Sequence, residues 1–196
     1  MELLHTCPDF VICIKPVSLD AEHDMPAQLQ EALGGNVFPI HRLDKNVGGV
    51  MVYARTQKAA AALSRAVQEG AMVKEYVALV HGQPPQTGDW EDFLYKDARK
   101  NKVFVVRKKR AGVKEARLTF QTLRRNDDHC LVQIRLYTGR THQIRVQFSS
   151  RQFPLVGDHK YGSRDNATAP FLHSFRITFP YNGQCFSFSH LPEWAK

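Results

Sequence analysis

The chain reads as an α+β protein built on a mixed, largely antiparallel sheet with flanking helices and loops. Two observations carry that reading. Runs of β-branched and aromatic residues outnumber helical segments and do not alternate regularly with them, as a parallel doubly wound sheet would require. Many of the runs also alternate polar and apolar residues, the pattern of a sheet covered on one face. At 196 residues the chain has the size of one domain and can bury a core without disulfide staples, so one domain over 1–196 is expected.

The first strand is expected at 10–14, ended by Lys15-Pro16. A short helix follows at 26–33, with a proline in its first turn and Gly34-Gly35 at its close. The charged loop His41-Arg42-Leu43-Asp44-Lys45-Asn46 then precedes an apolar run at 50–54 that reads as a buried strand. The alanine-rich stretch 57–69 has high helix propensity; Ala59, Leu63, Ala66 and Val67 share one face and Gly70 stops it.

Further strands are expected at 73–80, 103–107, 116–123 and 130–137. The stretch 83–102, with Pro84-Pro85 and Gly88, reads as a long excursion, and Arg107-Lys108-Lys109-Arg110 as a basic loop. A helix at 141–151 would set Ile144 and Phe148 on its core side with Arg145 beside them. Two closing strands, 171–179 and 185–189, are joined by a turn at Pro180-Tyr181-Asn182-Gly183.

Lysine and arginine number 27 against 19 acidic residues, a net charge of +8 that favours a polyanionic partner such as nucleic acid. Cys7, Cys13, Cys130 and Cys185 lie far apart without a Cys-x-x-Cys pair, which excludes a zinc-ribbon spacing and a small disulfide scaffold. The opening MELLHTCPDFVICIK lacks a basic region before its short apolar stretch and is expected to be an opening strand and not a signal peptide; no stretch approaches the length of a membrane span. A cytoplasmic location is expected.

Two polar clusters stand apart from the core pattern. A lone loop aspartate such as Asp44 is by itself only a turn residue. The cluster Thr138-Gly139-Arg140-Thr141-His142-Gln143-Ile144-Arg145 could equally be a solvated or phosphate-binding helix start. No histidine spacing supports a metal site, and no glycine-rich dinucleotide fingerprint is present.

Taken in order, three segments resemble the RluA family of pseudouridine synthases. His41-Arg42-Leu43-Asp44 followed by Gly49 is similar to its active-site loop, and Lys74 to Gly82 is similar to its K-x-Y-x-A-L-V-x-G strand. Thr138 to Arg145, continued by Pro154 to Asp158 and Tyr161-Gly162, matches T-G-R-T-H-Q-I-R and P-x-x-G-D-x-x-Y-G. The family's Thr-Ser pair is replaced by Val47-Gly48, which removes two hydroxyls and should make the loop more permissive in φ/ψ.

The resemblance implies one catalytic domain without a separate S4-like RNA-binding domain, isomerising uridine in an rRNA or tRNA stem-loop with no cofactor, no metal and no obligatory protein partner. Asp44 would be the nucleophile, and such a carboxylate needs an opposing cation to stay ionised in a partly dry pocket. Arg145 occupies the position that pairs with it, where a planar guanidinium holds a carboxylate by two bonds. Tyr76 would stack on uracil and help remove the C5 proton. Arg42 would fill the space of the flipped base or grip a phosphate, and His41, Arg140 and His142 would line the RNA side, the histidines orienting loops by hydrogen bonds. Recognition would rest on Arg99-Lys100 with Lys102, Arg107 to Arg110, and Arg124-Arg125. Rival readings are a catalytically silent RNA-binding protein on the same scaffold and a metal-dependent hydrolase.

Overall fold

The apolar runs of the sequence become strands, and three segments not expected as strands join them. The computed structural model describes Met1–Lys196, and the chain forms two compact units: one of residues 1–74, 173–194 and 196, the other of 75–172 and 195. No helix is long and apolar enough to cross a membrane.

In the first unit, β1 (Glu2–Thr6) pairs antiparallel with β2 (Phe10–Lys15), and β2 pairs antiparallel with β4 (Gly48–Ala54) from Phe10↔Ala54 to Lys15↔Gly49. β1 was not expected; its sequence ELLHT shows no alternation of polar and apolar residues, and none of them is buried. The two-residue β3 (Phe38–Pro39) also joins β4. All seven residues of β4 are buried, as its unbroken apolar sequence requires. β10 (Leu172–Tyr181) runs parallel to β4 and turns back into β11 (Gln184–Ser189). The reversal is a two-residue turn with Asn182 at φ 47° and Gly183 at φ 76°, the positive angles that suit an Asn-Gly hairpin; Pro180 belongs to the strand.

Helix α1 (Asp24–Leu33) starts two residues ahead of the expected boundary and buries Met25, Pro26 and Leu29. Helix α2 (Gln57–Gln68) follows its predicted bounds closely. The Thr56 side chain caps it by accepting the Ala59 N–H at 3.1 Å, and Ala59, Leu63 and Ala66 turn inward. Ala59 and Leu63 join Phe10, Ile12, Val50, Val52, Ile177 and Phe179 in the core of this unit.

The second unit is a sheet in the order β5 (Val73–His81), β9 (His129–Leu136), β8 (Val113–Arg125), β6 (Thr87–Asp97), β7 (Lys102–Val106). The expected excursion at 83–102 is therefore mostly strand. Its polar sequence hides β6, whose backbone is satisfied by β8 on one side and β7 on the other. Gly88 within it lies under Phe120, whose ring atom would sit 2.1 Å from an added Cβ. The basic stretch at 107–110 is a loop, as read.

Helix α3 (Gln143–Ser149) is shorter than expected, because His142 at its N-terminus holds a left-handed φ of 51°. Residues 143–148 are all buried, not only Ile144 and Phe148, and the helix packs on β6 and β7. Trp90, Phe120 and Phe148 meet edge-on or tilted, with ring centroids 4.5 to 5.2 Å apart.

The loop that carries Asp44 is fixed at both ends. At one end the Val52 N–H donates to His41 Nε2 at 3.3 Å, tying the loop to β4. Burial, reinforced by the Lys74 charge, pushes the His41 pKa down to about 3, so the imidazole is neutral. His173 on β10 is likewise pushed down to about 4 by burial and by His190, whose Nδ1 lies 3.1 Å away. At the other end, Gly48 and Gly49 do not loosen the loop as expected; they are buried and already part of β4. Gly49, at φ 129°, lies against β10 so closely that a Cβ would stand 2.4 Å from the Ser174 carbonyl oxygen. The hydroxyl of Ser174 donates to the Val50 carbonyl at 3.1 Å, so a hydroxyl tie reaches β4 from the neighbouring strand.

Two outcomes follow from this packing. Gly49→Ala should lower the unfolding free energy by about 3 kcal/mol or more, because backbone must move, whereas Gly48→Ala, whose Cβ would sit 3.1 Å from the Lys15 carbonyl, should cost clearly less; urea denaturation distinguishes them. The folded His41 binds no proton between its usual value of 6.5 and about 3, while the unfolded one does, so its contribution to stability falls away as pH drops through that window. The destabilisation caused by His41→Gln should therefore shrink from pH 7 to pH 4; a constant difference between variant and wild type would show that His41 is not held neutral.

Candidate active site

In the first unit, Asp44 sits half-buried in a tight turn: its carbonyl accepts the Val47 N–H at 2.9 Å, and Leu43 and Val47 on either side are buried. The buried apolar neighbours anchor the turn. Beneath it lies a residue that sequence reasoning treated only as a strand breaker. Lys15, fully buried at the end of β2, donates from Nζ to the carbonyls of Pro16 (2.9 Å), Leu19 (2.8 Å) and Lys45 (3.2 Å). The Lys45 carbonyl also accepts the Ser18 N–H at 2.9 Å.

Desolvation pushes the Lys15 pKa down to about 8, against the opposing pull of Asp20, Asp44 and Asp24. Its ammonium therefore stitches the 16–19 loop to the residue after Asp44 and adds positive potential behind the turn. A lysine closing an apolar strand directly before a proline was the only sequence signal for it.

Arg42, next in the loop, is exposed and reaches Glu22 at 3.1 Å. A surface ion pair of this kind is worth little and is readily exchanged for another anion.

In the second unit, Tyr76 lies on β5 and is only 6% exposed. Arg145, on α3, is held by Asp158 through two parallel bonds, Nε to Oδ2 at 2.7 Å and Nη2 to Oδ1 at 2.8 Å. The side chains are 7% and 1% exposed, so this is a buried, bidentate ion pair. The Tyr161 ring covers the guanidinium at 5.1 Å. Tyr161 is itself fixed: its hydroxyl accepts the Val103 N–H at 2.9 Å and hydrogen-bonds His142 Nδ1 at 2.8 Å, and its carbonyl accepts from Ser149 Oγ at 2.6 Å.

Of the residues proposed from sequence, Arg145 and His142 thus gather around Tyr161. Arg140 is fastened elsewhere, donating from Nε to the Glu115 carbonyl at 2.8 Å. Its loop closes around the Gln143 side chain, whose Oε1 accepts from Thr138 Oγ1 (2.7 Å) and the Arg140 N–H (3.0 Å) and whose Nε2 donates to the Arg117 carbonyl (3.0 Å). Asp158 and Tyr161 were visible in the sequence as members of a motif, but their task of immobilising Arg145 was not.

No three His, Cys, Asp or Glu side chains converge to hold a metal ion. What the arrangement provides is a carboxylate on a fastened turn and, in the other unit, a buried tyrosine and a cation of fixed orientation.

A family model described as RNA pseudouridylate synthase matches residues 8–150. An uncharacterized RNA pseudouridine synthase of Chloroflexus aurantiacus is 37% identical over 149 residues, which cover 73% of this chain and 46% of that protein. Ribosomal large subunit pseudouridine synthase D of Vibrio vulnificus is 38% identical over 125 residues, covering 64% of this chain and 38% of its own length. The chain thus spans less than half the length of these curated relatives. Among solved structures, human RNA Pseudouridylate Synthase Domain Containing 1 superposes with a TM-score of 0.86 over 97% of this chain and 83% of its own, at 23% identity, which shows the shared fold. The matched family model spans the loop of Asp44, the strand of Tyr76 and the helix of Arg145, and the chain belongs to the RNA pseudouridylate synthase family.

Proposed function

We propose that this protein isomerises uridine to pseudouridine in a structured rRNA or tRNA, with Asp44 as the nucleophile. The observation that supports this best is the retention, in a member of that family, of a half-buried aspartate on a turn fastened by Lys15 and His41. The reaction breaks the bond between ribose C1′ and uracil N1 and makes one from C1′ to C5; N1 gains a proton and C5 loses one. No net oxidation or hydrolysis occurs. Asp44 attacks C1′ or C6, and Arg145 is the cation assigned to the nucleophile by the motif. Tyr76 offers a ring for the base and a hydroxyl for the C5 proton. Arg42, exposed and weakly paired, is available to phosphate or to the space left by the flipped base.

Substrate recognition is assigned to the basic hairpin of β6 and β7 and the loop after it. Phe104 is 37% exposed, with Lys100 and Lys102 ammonium groups 6.0 and 5.9 Å from its ring, and Arg110 lies 5.1 Å from the Tyr95 ring. Aromatic faces bordered by cations suit an RNA backbone with unpaired bases. Ribosomal RNA leads as substrate because several relatives are named as ribosomal large subunit synthases. A cytoplasmic location accords with such a substrate.

Pseudouridine mapping of total RNA from cells lacking the gene, complemented with wild type or Asp44→Asn, tests this reading. A site should vanish on deletion and return with wild type only. RNA binding without any lost site would favour the catalytically silent RNA-binding protein. Replacing Lys100 and Lys102 together by alanine should weaken RNA binding and lower the slope of log affinity against log salt by about 2, roughly one per phosphate contact, with a smaller effect on the single-turnover rate at saturating RNA.

A further inference from the structure

The segment Pro154 to Asp158 that presents Asp158 to Arg145 is secured from two directions. β5 holds its beginning: the His81 N–H donates to the Pro154 carbonyl at 2.9 Å, and the Val156 N–H to the Leu79 carbonyl at 2.9 Å. Its end is held by the loop at 163–169, through a residue outside the motifs. Asp165 Oδ2 accepts the Gly157 N–H at 2.8 Å, and its Oδ1 accepts the Ala167 N–H at 2.8 Å. Ser163 Oγ donates to the same carboxylate and also lies 3.2 Å from the Gly157 nitrogen. His81 Nε2 completes the cluster, 3.1 Å from Asp165 and 2.9 Å from Ser163.

Gly157 cannot turn away from this carboxylate. Its φ is 80°, and a Cβ there would stand 2.0 Å from the Ala169 carbonyl oxygen, so the backbone at 157 is wedged against the 163–169 loop. The next residue is Asp158, whose own carbonyl accepts the Tyr161 and Ser163 N–H groups at 3.0 and 3.1 Å. His159 adds two further ties to the loop, to the Ser163 carbonyl at 3.2 Å and the Ala167 carbonyl at 2.8 Å. Asp165 thus sets the peptide directly ahead of Asp158, and the Ser163 N–H holds the Asp158 carbonyl behind it.

We infer that Asp165 is a positioning residue: its carboxylate fixes the Val156-Gly157 peptide, directly ahead of Asp158, and so orients Arg145 through Asp158, and that orientation serves the isomerisation proposed above. Asp165 touches neither Arg145 nor any reacting atom in this scheme; it acts through Asp158. The carboxylate is suited to the task because it can accept from several donors at once, among them two backbone N–H groups. Burial alone would raise its pKa, but the bonds from Ser163, Gly157 and Ala167 hold it well below the usual carboxylate range, so the clamp stays charged at neutral pH.

The test uses Asp165→Ala in the full chain and reads Arg145 directly. In wild type the Arg145 Nε–H, buried and bonded to Asp158 at 2.7 Å, should give a protected side-chain resonance. In the variant its exchange should quicken by at least about tenfold while the amides of α2, in the other unit, keep their protection. Unchanged Nε–H exchange in a folded variant overturns the inference, whether or not the protein proves to be a synthase.

Activity gives the second reading. With wild type active, Asp165→Ala should reduce the single-turnover rate on the order of 10- to 100-fold with RNA affinity changed less than about twofold. The same substitution in an Asp158→Asn background should cost little more, as expected of residues acting in one chain. Additive losses, or a loss confined to affinity, overturn the positioning role; an inactive wild type counts against the proposed function and leaves the exchange result to decide the inference. Should Asp165→Ala fail to fold, Ser163→Ala, which removes one arm of the cluster, is expected to show the same changes at smaller amplitude.

Discussion

A guanidinium taken out of water is costly unless its hydrogen bonds are met and its charge opposed, and the interior of the second unit is arranged around meeting that demand for Arg145. Asp158 supplies two parallel bonds and the counter-charge, and Tyr161 supplies a ring face. Each helper is then held by others. The Tyr161 hydroxyl is shared between the Val103 N–H and His142, Ser149 bonds its carbonyl, and the Gly157 N–H just ahead of Asp158 is gripped from the 163–169 loop. The left-handed His142 that shortens α3 belongs to the same network, since that ring engages the tyrosine. A buried pair of this kind is weak support for stability but strong support for a fixed orientation, which is what an electrostatic partner in catalysis needs.

The first unit solves a different problem, that of keeping an ionisable carboxylate on a turn without letting the turn wander. Charge and backbone are both used. Lys15 gathers three carbonyls around one buried ammonium, and His41, kept neutral by burial, accepts a strand N–H. Packing holds the chain after the turn: Val47 is buried, and β4 closes on β10 at Gly49 to a distance that no side chain tolerates. A loop that looked permissive from its glycines is among the more constrained parts of the chain. Glycine here removes an obstacle and confers no mobility.

Strand pairing also sorts the basic residues of the second unit. Basic residues read from the sequence as a diffuse excess of charge acquire a pattern once β6 is recognised as a strand: Lys100, Lys102 and Phe104 share one hairpin, and Arg110 in the following loop reaches Tyr95. Other arginines are committed to the protein itself. Arg117 bonds Asp89 at 2.8 Å and 3.1 Å, and Arg151 bonds Asp92 while lying 4.4 Å from the Trp90 ring. Net charge alone could not separate the two groups, because pairing depends on which strands are neighbours.

The sequence by itself determined the α+β class, the three motif segments and most strands, because apolar periodicity and turn residues act locally; α2, with its high helix propensity and inward Ala59, Leu63 and Ala66, is the clearest case. It also supplied, through motifs in a fixed order and spacing, the residues to which chemistry is assigned under the proposed function. It did not disclose β6, whose polar residues follow from pairing on both edges and not from its own propensity. Nor did it disclose the partners of Lys15, Arg145 and Gly157, which lie up to 30 residues away for Lys15, 13 for Arg145 and 8 for Gly157. Those assignments were left to tertiary structure for a physical reason: a buried charge or a wedged peptide selects its partner by desolvation and close approach, and neither exists until the chain has folded.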